Sequence, residues 1–340
     1  MNLYLESGYI DQEKILSRPD YFIFEIGPRG TGKSYGILKY ILDHDIPFLI
    51  LRRTQTEADI VSTPVTNPFN SILADQPDYQ VNLKPIVKNL TGIYIQRGED
   101  KDFIPSGYLA ALSTFAGIRG VDLSRVQFIF YDEFIPEKHM RPIKDEYLAL
   151  MNVYETVNRN RELQGLDPVK MVCAANSNNI ANPIFIGLEI VDRIARMMKK
   201  GSEEYHDQER ELSVYMMMHS PISEKKADTA LYKLTEGNDF QNMALRNMFD
   251  LDTQYIRSSN LKEYRPVVKI GELVIYQHKS RPEYYVRCGQ SGSCRLTFTT
   301  SDIDRRRFQK KCGYLYLRYL AGHVFFENST SQVLFERFFL

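Results

Sequence analysis

Eight consecutive residues, Gly27-Pro28-Arg29-Gly30-Thr31-Gly32-Lys33-Ser34, have the types and spacing of a phosphate-binding loop, G-x-x-x-x-G-K-[ST]. Gly27, Gly30 and Gly32 let the backbone approach an anion closely. Successive N–H groups and a following helix N-terminus then supply positive potential. In this pattern Lys33 reaches the β- and γ-phosphates and Ser34 ligates Mg²⁺, so ATP and Mg²⁺ are the implied ligands. Arg29 and Thr31 lie within the loop and Tyr35 beside it. A second group of reactive residues is Asp132-Glu133, directly after the apolar run 128–131. There Asp132 would hold Mg²⁺, directly or through water, and Glu133 would polarise the attacking water. A third is Asn176, at the tip of the apolar run 169–175. An amide there could sense the γ-phosphate and the lytic water, or be an ordinary strand-end turn residue.

These residues need strands and helices to hold them. Residues 21–26 read as a buried strand. Ile37, Leu38, Ile41 and Leu42 have helical spacing, so the loop joins strand to helix as the motif requires. Residues 47–51 read as a second buried strand, ending on Arg52-Arg53. Residues 54–105 are broken by Pro64, Pro68, Pro77 and Pro85, with a hairpin strand at 92–97. Residues 108–112 form a short apolar run, and 114–120 a polar loop. A helix is expected over 145–162 and another from Asn182-Pro183 to about 200, with a hinge at 201–210 and a core strand at 212–219. Helix follows over 224–247, broken at Gly237. Beyond it the pattern becomes β, at 267–270, 272–277, 284–288 and 295–299. A helix over 302–318, capped by Asp302, and short aromatic strands end the chain. Arg305-Arg306-Arg307 and Lys310-Lys311 on that helix fit either a nucleic-acid contact or a solvated face.

The 340 residues carry no net charge, which excludes a general polycation. The balance is uneven: 16 Lys+Arg against 11 Asp+Glu from Glu236 onward, and 27 against 32 before it. The four cysteines, at 173, 288, 294 and 312, have no zinc-site spacing and read as free thiols of a reducing cytoplasm. Neither a signal peptide nor an apolar stretch of membrane-spanning length is evident.

With these residues assembled, the chain resembles the encapsidation ATPases of phi29-like phages. These are the small DNA-packaging motors of podoviruses, related to terminase large subunits and FtsK/HerA-type ASCE translocases. The likeness rests on Gly27-x-Arg29-Gly30-x-Gly32-Lys33-Ser34-Tyr35, the pair Arg52-Arg53, Phe130-Tyr131-Asp132-Glu133-Phe134-Ile135, Arg159-Asn160-Arg161-Glu162 and the strand ending at Asn176. After about residue 200 it rests on length and the β-rich pattern. The resemblance implies an α/β fold, a P-loop ATPase domain with a mainly parallel sheet flanked by helices over 1–200. A linker or lid region would follow over 201–247, then a smaller β-rich, RNase H-like vestigial nuclease over 248–340. It implies a homopentameric ring on the portal (connector) of an empty prohead, in some members with a packaging RNA. The ring would act in the host cell cytoplasm, with no membrane partner, and be absent from the mature virion. Arg159 matches a trans-acting arginine finger, though its position alone also suits a helix-end arginine favoured by the dipole. Arg119 matches another basic residue acting across the interface, and Arg29 could contribute in cis. Lys138, and with it Arg141, match positions facing double-stranded DNA. The double-arginine turn is expected there as well, although this chain has Gln55 where a lysine is usual.

The expected function is therefore ATP-driven translocation of double-stranded DNA into a capsid. The alternatives are a AAA+-like replication or helicase loader acting on single strands, and a cleaving terminase. Two-metal cleavage needs converging carboxylates. Only 250/252 and 302/304 are close pairs in the C-terminal region, so nuclease activity is expected to be absent.

Overall fold

The computed structural model describes residues 3–98, 104–136, 143–176, 180–218, 220–237, 255–289 and 292–339. In chain order it begins with α1 (Gln12–Leu16), β1 (Phe22–Ile26), α2 (Lys33–Asp43), β2 (Phe48–Arg52), α3 (Gln55–Val61) and α4 (Asn70–Asp75). Next come β3 (Tyr79–Val87), β4 (Leu90–Arg97), β5 (Ile104–Ala111), β6 (Phe128–Asp132), α5 (Glu146–Asn158) and β7 (Lys170–Ala175). After these are α6 (Pro183–Gly187), α7 (Val191–Lys199), β8 (Glu204–Asp207), β9 (Leu212–Met216), α8 (Pro221–Lys226) and α9 (Ala230–Leu234). The remainder is β10 (Tyr264–Ile270), β11 (Leu273–His278), β12 (Tyr284–Cys288), β13 (Leu296–Phe298), α10 (Asp302–Leu320), β14 (Val324–Phe326) and α11 (Ser329–Phe339).

The chain forms two compact units, one of residues 1–178 with 197–249 and the other of 179–196 with 250–340. The first is built on a nine-stranded sheet of order β3-β4-β5-β2-β6-β7-β1-β9-β8. From β5 to β9 every neighbouring pair is parallel, and the edge pairs β3·β4, β4·β5 and β8·β9 are antiparallel. Parallel strands are covered on both faces, so they read as continuous apolar runs. Ile23, Phe24, Leu49, Ile50, Ile129, Phe130, Met171 and Val172 are all buried. Each large side chain so placed contributes about 1.5–3 kcal/mol. Helix α2 adds Ile37, Leu38, Ile41 and Leu42 to the same core.

The second unit has a five-stranded sheet of order β13-β10-β11-β12-β14. Strands β10, β11 and β12 form an antiparallel meander, with β13 parallel to β10 and β14 parallel to β12. Phe308, Cys312 and Leu315 of α10 and Phe335 of α11 close its core.

Several expectations are corrected. Residues 54–105 hold two helices and a long hairpin. Pro85 is tolerated because β3 is an edge strand, and the pairing register shifts at that proline. The supposed loop at 114–120 lies largely in a 3₁₀ segment, Leu112–Ile118. The expected hinge at 201–210 contains β8, paired with β9. The long helix after Asn182 breaks at Leu188–Ile190, where Glu189 has φ +57°, into α6 and α7. The helix expected over 224–247 with a break at Gly237 is already interrupted before Gly237, between Lys226 and Ala230, and 238–247 lies outside the described residues. Ser301, not Asp302, caps α10: its side chain accepts from the Asp304 N–H. The aromatic C-terminus is mostly helix, whose Phe335 packs on Tyr319 and whose Phe338 and Phe339 pack on Phe308 of α10.

Candidate active site

The phosphate loop leaves the C-terminal end of β1 and enters α2 through Gly32, whose φ of +91° favours glycine. A Cβ on Gly27 would lie 2.6 Å from the Met217 side chain, so only glycine fits there. Lys33 is buried and folded back on the loop. Its Nζ donates to the carbonyls of Gly27 (2.9 Å) and Pro28 (2.8 Å) and to Thr31 Oγ1 (3.2 Å). The Thr31 hydroxyl turns inward as well, donating to Pro28 O. Burial pulls the Lys33 ammonium down to about 8, although Glu25, Asp132 and Glu133 favour its charge. Glu25 lies in β1, fully buried, and accepts a hydrogen bond from Gln12 Nε2 at 2.6 Å. Burial lifts its carboxyl to about 7, against the opposing effects of Gln12 and Lys33.

Strand β6 delivers Asp132 and Glu133 to the same sheet edge. Strand β7 lies between β1 and β6 and ends just before Asn176, which is partly exposed. The loop and the acids nevertheless meet, for Ser34 Oγ donates to Asp132 Oδ1 at 2.9 Å. A hydroxyl and a carboxylate paired at the loop mouth are hard oxygen donors, a set that fits Mg²⁺ bound jointly with phosphates. Glu133 sits at φ +56°, a left-handed conformation unusual for a side-chain-bearing residue, and its carboxylate is half exposed.

Sequence reasoning missed the role of Arg52. In the β2·β6 pairing Leu51 lies opposite Tyr131, which brings Arg52 level with Asp132. Its Nη1 donates to Asp132 Oδ2 (2.5 Å) and its Nη2 to Glu133 Oε2 (2.8 Å). Arg53 points inward. Its guanidinium holds Glu146, at the start of α5, at 2.9 and 3.4 Å, and both side chains are almost wholly buried. The Tyr131 hydroxyl donates to the same carboxylate at 3.2 Å. The double arginine is therefore committed to carboxylates within the unit, and Arg53 at 1% exposure has no face for DNA. The only sequence signal was two arginines at the C-terminal end of a strand that neighbours the acidic one.

The remaining expected residues are dispersed. Arg29 and Arg119 are exposed. The Tyr35 hydroxyl donates to Asp75 at 2.7 Å, so this side chain supports α4. Lys138 and Arg141 lie outside the described residues. Helix α5 stops at Arg159 and Asn160, both left-handed (φ +45° and +55°), earlier than the expected 162. Arg159 Nη1 donates to Asp122 Oδ1 at 3.0 Å and Nη2 to Val121 O. Asn158, beside it, accepts from the Val169 N–H just ahead of β7. Arg159 thus belongs to the edge where β6 and β7 begin, while Asp132 ends β6. A five-residue strand separates those edges by about 17 Å.

The arrangement has known counterparts. Residues 5–283 match the model of the podovirus DNA encapsidation protein (Gp16) family. The chain belongs to that family. Its function is accordingly packaging of a viral genome. The DNA packaging protein of Bacillus phage phi29 is 28% identical, over 96% of this chain and 95% of its own. That of Bacillus phage B103 is 27% identical, over 73% and 71%. Among solved structures, the phi29 viral genome packaging motor assembly superposes with a TM-score of 0.68 over 97% of this chain and 98% of its own, at 22% identity. That last likeness fixes the fold, a large mainly parallel sheet with a second β-rich sheet. The helicase-loader alternative has no support among these relatives.

Proposed function

We propose that this encapsidation-family chain hydrolyses ATP with Mg²⁺ at the site formed by residues 27–34, Asp132 and Glu133, and uses the energy to drive double-stranded DNA into a prohead. The observation that carries the reading is the Ser34–Asp132 contact at 2.9 Å, which joins the phosphate loop to the acidic strand end. Lys33 would leave its carbonyl partners for the β- and γ-phosphates, an anionic acceptor being roughly twice as strong. Mg²⁺ held by Ser34 and Asp132 would neutralise charge building on the transferred phosphoryl group. Glu133, released by Arg52, would accept hydrogen bonding from the attacking water. Asn176, at the neighbouring strand end, is placed to orient that water.

Arg159 lies at the edge opposite its own phosphate loop, so its contribution would go to a neighbouring subunit's nucleotide, with Arg119, two residues from Val121, on the same side. This supports a closed ring, which we take to be a homopentamer seated on the portal in the host cytoplasm, with packaging RNA as a further partner. Lys138 and Arg141 are proposed DNA contacts, reading phosphates without regard to sequence. We further propose that nuclease activity is absent. In the second unit Glu283 is paired with Arg257 and Glu327 with Arg287, and Asp304 accepts from Thr299. Asp250 and Asp252, the other close pair, lie outside the described residues.

The deciding assay is ATP hydrolysis with and without duplex DNA, single strands and empty proheads. Stimulation by proheads plus duplex, lost in Lys33→Ala, is expected. Hydrolysis indifferent to all three would overturn the motor reading. In mixed rings, Arg159→Ala subunits should partly rescue Glu133→Ala subunits at shared interfaces, and no rescue at any ratio would count against action in trans.

A pH signature follows from Lys33. Phosphate oxygens favour its charged form, so nucleotide binding raises its pKa from about 8. At roughly pH 8.5, where nucleotide phosphates are already ionised, binding should take up about half to three-quarters of a proton. Near pH 6.5 the lysine is already charged and no uptake from it is expected. Titration calorimetry of ADP in buffers of differing ionisation enthalpy measures this, and equal uptake at both pH values would refute it.

A further inference from the structure

The phosphate loop has a second lysine over it. Lys226, the last residue of α8, donates from Nζ to the Arg29 carbonyl at 2.6 Å. A Cβ built on Gly30 would lie 2.1 Å from that same Nζ, so the ammonium rests directly on the loop. The platform beneath it is fixed by the turn ahead of α1. The Ile10 N–H donates to Thr31 O at 3.0 Å, and the Tyr9 ring packs on Gly32. On the other side Gly8 abuts Pro221 and Ile222, and Lys225 Nζ donates to Ser7 O at 3.3 Å. The turn is thus wedged between the phosphate loop and α8.

The charge balance of this contact is unusual. Burial disfavours the charge of Lys226, and among the described residues it has no carboxylate partner. Its field also disfavours the charge on Lys33. Two ammonium groups therefore face one short loop, and the outer one is bound only to a neutral carbonyl. A second ammonium at the loop suits an anion carrying more charge than one lysine can neutralise.

We infer that Lys226 reads the terminal phosphate of the bound nucleotide, holding the Arg29 carbonyl when that phosphate is missing and moving to its oxygens when a triphosphate binds. The inference deepens the ATPase reading and rests on it. It names a positioning residue outside the motif and a route by which the γ-phosphate pulls on α8, the segment that leads in sequence towards the second unit. A lysine that merely braces the loop would matter equally for diphosphate and triphosphate. A lysine that reads the γ-phosphate matters for one of them.

The test is the affinity of the full chain, with Mg²⁺, for fluorescent ADP and for a fluorescent non-hydrolysable ATP analogue, in wild type, Lys226→Ala and Lys226→Arg. Losing one charge-assisted hydrogen bond should weaken triphosphate binding by about 10-fold or more, with ADP within about twofold. Lys226→Arg should keep most of the discrimination. Equal weakening of both nucleotides, or no change in either, overturns the inference and leaves the ATPase reading intact. A wild-type chain that binds neither nucleotide overturns both.

Discussion

Glu133→Gln should bind ATP as tightly as the parent and hydrolyse it about 10²–10⁴-fold more slowly, the usual contribution of a positioned general base. The substitution keeps size and hydrogen bonding and removes the charge that polarises water. The effect should fall on kcat, because the carboxylate touches no part of the loop that holds phosphate. Arg52 sharpens the expectation. It binds Asp132 and Glu133 together, so the proposed general base is engaged in an ion pair that it must leave to act on water. Arg52 itself is only about one-eighth exposed, and among the described residues its buried Nε has no hydrogen-bond partner, so its seat depends on these two acids. Single-turnover hydrolysis alongside equilibrium nucleotide binding separates the two effects. A Glu133→Gln chain that loses binding and turnover in parallel would show that the residue holds the site together and does not act on water.

Arg53→Ala should be the most destabilising single change, by about 3–5 kcal/mol, which for a unit of this size lowers Tm by roughly 10 °C. The guanidinium and the Glu146 carboxylate are 1% and 0% exposed, so removing one leaves the other charged and dry. Tyr131, whose own ionisation is suppressed by burial and by Glu146, supplies a single hydrogen bond and cannot replace a charge. Arg53→Met with Glu146→Leu should recover most of the loss, because it removes both charges while keeping volume. Denaturant unfolding of the three chains decides the matter; a single variant within about 1 kcal/mol of the parent would mean that water reaches the pair. The pair anchors the start of α5, and Arg159 closes its far end. Even a folded Arg53 variant should therefore hydrolyse ATP poorly in a ring, if Arg159 acts across the interface.

Some of this chain is written locally, and those parts were legible. The phosphate loop needs only eight neighbouring residues, because glycine conformations, successive N–H groups and a helix start are near-neighbour properties. Strands β1, β2, β6 and β7 were legible because a strand covered on both faces is apolar along its whole length. Asp132 and Glu133 stood out because charge follows that run abruptly. The region between residues 54 and 105 was not legible, since its hairpin exposes one face and its edge strand tolerates proline. The end of α5 was obscured as well: Arg159 and Asn160 stop the helix by adopting left-handed backbone, which asparagine favours but arginine does not announce.

The phosphate loop, the acidic strand end and the family are written in neighbouring residues. Tertiary structure alone decided what Arg52, Arg53 and Lys226 do. Each is a basic residue in a polar context, equally suited by composition to solvent, to DNA or to a carboxylate. Arg52 reaches Asp132 across 80 residues because β2 and β6 pair in one register. Arg53 meets Glu146 93 residues on, and Lys226 meets Arg29 197 residues away. Contacts at those separations are set by sheet order and packing, which no local spacing encodes.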